Sequence, residues 1–187
     1  MGNDRRLLAG QKVRLTAITK DDLPLFVEWF GNIELRRYLG GVTMPVRLEE
    51  EESWYEQQRK SSDVHNFAIR TLDENQLIGS CGIMDIRWHA RNCEVGISVG
   101  DKDFWGKGYG TDAMRVLIHY AFMEMNMHRV GLEVLSFNPR AIKSYEKVGF
   151  QLEATSRESH YLDGKRYDDY FMSILYPEWK KLYGEGN

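Results

Sequence analysis

Three glycines, Gly106, Gly108 and Gly110, alternate with other residues in the stretch DKDFWGKGYGTDAM (101–114). A helical pattern begins directly after them. Glycine is costly in ordered backbone unless the chain needs unusual angles or a close approach. A glycine-rich loop at a helix N-terminus meets that need when its N–H groups face an anion, usually phosphate. Two named phosphate patterns fail on spacing. A P-loop needs GxxxxGK and then Ser or Thr, but here Gly108 follows Lys107. A dinucleotide fingerprint needs a third glycine where this chain has Thr111. A turn that only lets a strand meet a helix is the plain alternative.

No other short pattern supplies a metal site or a nucleophile. The five histidines show no ligand spacing, so no metal is expected. Cys81 and Cys93 form neither a zinc nor a disulfide framework and read as small core residues. The four glutamates Glu49–Glu52 open a helical stretch, where the helix dipole favours them and a solvated face is their usual meaning.

The elements that must carry these residues follow from periodicity. The segment 12–18 predicts a first strand. Thr19 and Asp22 form an N-cap signal, and Leu23, Phe26, Val27 and Phe30 follow at helical spacing. The Gly40–Gly41 break separates this from a second helix over roughly 47–60. Three strands are expected next, in VHNFAIR (64–70), QLIGSCGIMDI (76–86) and NCEVGISV (92–99). In the last of them Cys93, Val95, Ile97 and Val99 alternate with Glu94, Gly96 and Ser98. After the glycine loop, Met114, Leu117, Ile118, Ala121, Phe122 and Met125 mark one face of an amphipathic helix. A strand RVGLEVLS (129–136) leads to a second helix with Asn138 as N-cap, Pro139 at its first position and Gly149 past its end. Asp163–Gly164 marks a hairpin between two final strands. The order β-α-α-β-β-β-α-β-α-β-β implies an α+β architecture, a mixed sheet with helices on both faces.

Composition bounds the function. At 187 residues, 42% hydrophobic and 28% charged, the chain is expected to fold as one globular domain, 1–187. A net charge of −3 and the lack of a basic stripe argue against nucleic acid. No apolar run is long enough to span a bilayer, and the start MGNDRR carries no signal-peptide or myristoylation pattern. The expectation is a cytoplasmic protein without a membrane partner.

With these elements in place, the loop WGKGYGT and the segment LEVLSFNPRAIKSYEKVGF resemble the GNAT superfamily of acetyl-CoA-dependent N-acetyltransferases. The likeness spans about residues 11–176 and is strongest to the branch of ribosomal-protein N-terminal and spermidine acetyltransferases. It implies a mostly antiparallel sheet of about seven strands, splayed between the fourth and fifth. It also implies acetyl-CoA as co-substrate, held by its pyrophosphate in the loop Trp105, Gly106, Lys107, Gly108, Tyr109, Gly110 and Thr111. The family's loop usually opens with Gln or Arg, so Trp105 is a departure. The resemblance further assigns Ile97, Ser98 and Val99 to main-chain pairing with pantetheine. Asn138 would meet the pantetheine or cap the helix, and Arg140, Lys143 and, with less support, Lys147 would face the 3′-phosphate.

The implied reaction needs a base and an acid. An amine with pKa near 10.4 is neutral in about one part in a few thousand at pH 7, a penalty of roughly 4–5 kcal/mol. By resemblance Tyr145 is the acid that meets the leaving thiolate, and Glu133 or Glu94 is the base. For Tyr145 the alternative is a core residue, since Ala141, Tyr145 and Val148 share a helix face. The acceptor is expected to be a protein N-terminus or a polyamine. An antibiotic or amino-sugar amine is the alternative within this class, and a non-catalytic acyl-CoA-binding module the alternative outside it. Glu49–Glu52 are expected to help attract a cationic acceptor. The edge strands and the aromatic stretch Tyr176–Tyr183 suit either a homodimer contact or packing over the sheet.

Overall fold

The computed structural model describes residues 7–40, 44–58, 60 and 63–184. The start MGNDRR, Gly41 and Arg59 of the second expected helix lie outside these residues. The strands are β1 (Val13–Thr16), β2 (His65–Thr71), β3 (Leu77–Arg87), β4 (Asn92–Val99), β5 (Arg129–Leu135), β6 (Gln151–Leu162) and β7 (Lys165–Leu175). The α-helices are α1 (Leu23–Phe30), α2 (Ile33–Tyr38), α3 (Leu48–Gln58), α4 (Tyr109–Met123), α5 (Pro139–Val148) and α6 (Tyr176–Tyr183). One seven-stranded sheet runs in the order β1-β2-β3-β4-β5-β7-β6. Every neighbouring pair is antiparallel except β4–β5, which is parallel.

Strand alternation divides the apolar residues between two faces. Val13, Ile69, Ile83, Cys93, Val130 and Ile174 bury themselves on one face with Met114, Leu117 and Ile118 of α4 and Trp179 of α6. On the other face Ala68 and Leu77 pack beneath Leu23 and Phe26 of α1, with Tyr55 of α3 against them. Both cysteines are buried and free, as their isolation in the sequence suggests. Burial, and then the charge of Glu94, pushes the Cys93 thiol up to about 12, which leaves it a core residue with almost no thiolate at neutral pH.

Two short helices escape the sequence reading. Helix α2 has six residues, too few for a full apolar period, and rests on its N-cap: Asn32 Oδ1 accepts from the N–H groups of Glu34 and Leu35 at 3.0 and 3.3 Å. Helix α6 continues directly from β7, with Pro177 in its first turn and Glu178 Oε2 accepting from the Leu175 N–H at 2.8 Å. Its Trp179 packs against Phe122, with ring centroids 5.3 Å apart, and the Tyr183 hydroxyl donates to Val148 O at 3.0 Å. Of the two expectations for the aromatic C-terminal stretch, the structure displays packing over the sheet.

The split in the sheet is the feature that makes a site. β4 and β5 pair only over Asn92–Glu94 and Arg129–Gly131. Beyond those residues the strands diverge, and the edge Val95–Val99 faces open space. On its other edge β4 is paired with β3 continuously from Met84↔Glu94 to Gly79↔Val99, so the splay bares one edge of a strand held along the other.

Candidate active site

A cavity of about 630 Å³ fills the splay between β4 and β5. Its β4 bank is Val95–Val99 with Trp105, Gly106, Gly108, Gly110 and Thr111. Its β5 bank is Glu133–Leu135 with Asn138, Arg140, Ala141, Lys143, Ser144, Tyr145 and Lys147. Leu35, Tyr38, Leu39 and Gly40 approach from α2, and His160 and Asp169 from the last hairpin.

Two of the loop's glycines are fixed by their backbone conformation. Gly106 and Gly108 have φ of +72° and +88°, which side-chain-bearing residues rarely adopt. An added Cβ at Gly106 would meet no atom within 4 Å, so the space beside it is open to the cleft. Gly108 forms the left-handed N-cap of α4, whose first N–H groups have no partner within the helix. The loop is anchored from behind. Asp112, in the first turn of α4, accepts from the N–H groups of Gln11, Lys12 and Val13 at 3.1, 2.7 and 3.0 Å. That carboxylate ties the helix N-terminus to the start of β1.

The opposite helix is set by the cap that the sequence announces. Asn138 Oδ1 accepts from the Ala141 N–H at 3.2 Å, and Gly149 closes α5 at φ +107°. Thr111 and Ser144 share a hydroxyl hydrogen bond of 2.7 Å, which fixes α5 against the glycine loop. Tyr145 is 8% exposed and lines the cavity, with its ring 5.9 Å from that of Phe150. Burial pushes its phenol up to about 12. Tyr145 is thus both a buried residue and part of the cavity lining.

Strand register explains the carboxylates. Glu94 lies opposite Gly131, and Glu133 is two residues further along the same face of β5. Asp169 pairs with Leu135 and shares that face. Glu133 is thus diagonal to both Glu94 and Asp169. Its carboxyl is held above the ordinary carboxylate value, first by desolvation, then by the charges of Glu94, Asp169 and Asp85. Glu133 and Asp169 line the cavity; Glu94 stands behind Glu133 and does not.

Most sequence-derived candidates converge here: Ile97, Ser98, Val99, Trp105, Gly106, Gly108, Gly110, Thr111, Glu133, Asn138, Arg140, Lys143 and Tyr145 all line the cavity, as does Lys147. Lys107 and Tyr109 do not. Tyr109 turns back to meet Phe104 edge-on at 4.9 Å, with the Lys12 ammonium 5.1 Å from its ring centroid. Glu49–Glu52 lie on α3, away from this lining; Glu49 and Glu50 border a shallow surface groove with Arg47 and Trp54. They are therefore not part of the cavity wall. The cavity lining is completed by α2, which the sequence reading lacked, together with His160 and Asp169. The Asn32–Glu34 cap and the Leu35/Leu39 pair are the local signal that could have revealed α2. Among the described residues no cluster of His, Cys, Asp or Glu could hold a metal, and no helix is long and apolar enough to cross a membrane.

One cavity thus combines a bared strand edge, a glycine loop at a helix N-terminus, a buried phenol and a carboxylate. The acetyltransferase (GNAT) domain profile matches residues 12–151, and the chain belongs to this family of acetyl-transferring enzymes. It is 30% identical over 154 residues to the Bacillus subtilis protein "Probable N-acetyltransferase YjcK", covering 82% of each chain. It is also 30% identical over 122 residues to YdaF of the same organism, whose assigned name describes a ribosomal N-acetyltransferase. That match covers 65% of this chain and 66% of YdaF. Spermidine N-acetyltransferase from Vibrio cholerae, crystallised with CoA and spermine, superposes with a TM-score of 0.83 at 24% identity, covering 89% of this chain and 97% of that one. At that identity the likeness is one of fold.

Proposed function

We propose that this protein transfers an acetyl group from acetyl-CoA directly to a primary amine, and that the amine is carried by a cationic acceptor of the polyamine type. The observation that carries the reading is the single cavity that brings Tyr145, Glu133 and the open glycine loop together. The residues present fit the cofactor: Gly106 opens onto free space, α4 offers uncapped N–H groups, and Val95–Ser98 offers an edge that β5 leaves unpaired. Gly106–Thr111 would hold the pyrophosphate, Ile97–Val99 the pantetheine, and Arg140 and Lys143 the remaining phosphate. Bound there, acetyl-CoA supplies the activated thioester.

The protein's own groups do the rest. Ionised Glu133, acting directly or through a water, takes the proton that keeps the amine from attacking. Tyr145 donates a hydrogen bond to the leaving sulfur. A phenol at about 12 is a weaker acid than an ordinary thiol, so full transfer of its proton would be uphill by roughly 5 kcal/mol. Tyr145 therefore acts as a hydrogen-bond donor that stays protonated, and the amine's proton reaches the sulfur or solvent by another route.

Carboxylates at Glu133 and Asp169, with Glu94 and Asp85 behind them, favour an acceptor with more than one positive charge. Leu35, Leu39 and Leu135 suit its methylene segments. A second reading, a ribosomal-protein N-terminus, is favoured by the likeness to YdaF.

The test is thiol release from acetyl-CoA with spermidine, spermine, Ala- and Ser-starting peptides, aminoglycosides and amino sugars. Turnover with the polyamines is expected. Silence with every amine, from a protein that binds acetyl-CoA calorimetrically, would overturn the reading. In the same assay Tyr145→Phe should lower kcat about 10- to 100-fold and leave the Kd for CoA unchanged.

A further inference from the structure

We propose that Trp105 and Tyr38 are positioning residues that hold Arg140 in the cleft as a partner for a cofactor phosphate. The proposal rests on the acetyl-CoA reading above and adds to it the groups that aim the arginine.

Trp105 follows the short 3₁₀ turn Lys102–Phe104 and belongs to the β4 bank. Arg140 is the second residue of α5 and belongs to the β5 bank. The guanidinium carbon of Arg140 nevertheless lies 3.8 Å from the Trp105 ring centroid and 5.3 Å from that of Tyr38. The two rings meet edge to face, with centroids 6.1 Å apart. Three chain segments, the glycine loop, α2 and α5, thus meet in the cavity lining.

The indole is itself fixed. Its only donor, Nε1–H, binds Val99 O at the end of β4 at 2.6 Å. Tyr38 is braced by Phe137, 6.2 Å between centroids, and its helix by the Glu34–Lys102 and Arg37–Asp163 ion pairs. Arg140, by contrast, has no carboxylate partner among the described residues. A cation held on aromatic faces beside a loop suited to anions points to an anionic ligand. Stacking uses the face of a guanidinium and leaves its in-plane N–H groups free, which is the geometry that binds phosphate oxygens. Trp105 replaces the loop's usual polar side chain with a surface that restrains the arginine and lowers the entropy lost when phosphate binds.

The experiment measures Kd for CoA and for 3′-dephospho-CoA by calorimetry, with wild type, Trp105→Phe, Trp105→Gln, Arg140→Gln and the Trp105→Gln/Arg140→Gln double variant. Arg140→Gln should weaken CoA about 10-fold or more. Trp105→Gln keeps an N–H donor but no ring and should weaken CoA about 3- to 10-fold. Trp105→Phe keeps a ring without the donor and should stay within about 2-fold of wild type. The double variant should bind no more weakly than Arg140→Gln alone, because the ring acts through the arginine. An Arg140→Gln loss confined to CoA identifies the 3′-phosphate as the partner; an equal loss with both ligands identifies the pyrophosphate. Additive losses, a larger loss for Phe than for Gln, or an unaffected Arg140→Gln would overturn the stack while leaving acetyl transfer intact. Wild-type protein that binds no CoA would overturn both.

Discussion

Glu133 gathers the chemistry of this site into one titration. Partial burial raises its carboxyl, and Glu94, Asp169 and Asp85 raise it further. A base must be ionised, so the rate should fall as pH drops through that raised value. In Glu133→Gln this acid limb should vanish along with most of the rate. In Glu94→Gln one like charge is gone, Glu133 ionises more easily, and the acid limb should move to lower pH with the maximal rate largely kept. A pH–kcat/KM profile of the three proteins checks both signs; a Glu94→Gln limb shifted upward would refute the assignment. Tyr145 sets no limb in the accessible range, because its phenol stays protonated to about 12.

At the scale of elements, two carboxylates hold the frame of the site. Asp112 satisfies three backbone N–H groups from the start of β1 and is 6% exposed. Asp112→Ala would leave those buried or half-buried donors without a partner. It should destabilise the fold by about 3 kcal/mol in urea unfolding. Glu153 of β6 binds Arg129 of β5, and it accepts from Ser173 Oγ of β7 at 2.6 Å. Those hydrogen bonds hold its carboxyl down to about 2. A carboxylate with a depressed folded pKa stabilises the fold above its unfolded value, and the contribution fades as pH falls toward the folded one. Glu153→Gln should therefore lower Tm at pH 7, and the gap to wild type should close between about pH 4.5 and 2. Both ends of the ion pair are more than a third exposed, so the shift in Tm should be modest.

For the whole molecule, the acceptor's path depends on which helix flanks the split. Helix α2 lines the cavity and α3 does not, although α3 carries the glutamate run. The double variant Glu50→Gln/Glu51→Gln should leave the acceptor KM within about 2-fold even at low salt, where screening is weakest, because neither carboxylate lines the cavity. Asp169→Asn, on the cavity wall, should raise the same KM several-fold. A reversed order in steady-state assays at low ionic strength would return the acceptor to the α3 face.

Much of this was written locally. The alternation of Cys93, Val95, Ile97 and Val99 predicts β4 with its observed bounds, the Asn138–Pro139 and Gly149 signals frame α5, and Asp163–Gly164 places the hairpin turn with φ of +48° and +79°. The glycine loop and its helix are equally legible, because backbone freedom and capping depend on a few neighbouring residues. Helix α2 was missed because six residues complete less than two turns, which leaves only the Asn32 cap and the Leu35/Leu39 pair as its signal. The convergence of Glu133 with Asp169, or of Tyr38 and Trp105 on Arg140, could not be read either. Those neighbours lie 36, 102 and 35 positions apart in the chain. Strand register and the splay of β4 from β5 bring them together. Sequence by itself determined the elements, their caps and the family motifs, since each rests on short-range steric and hydrogen-bonding rules. Only the tertiary structure decided which carboxylate faces the cleft and which helix guards it, because those outcomes depend on long-range packing.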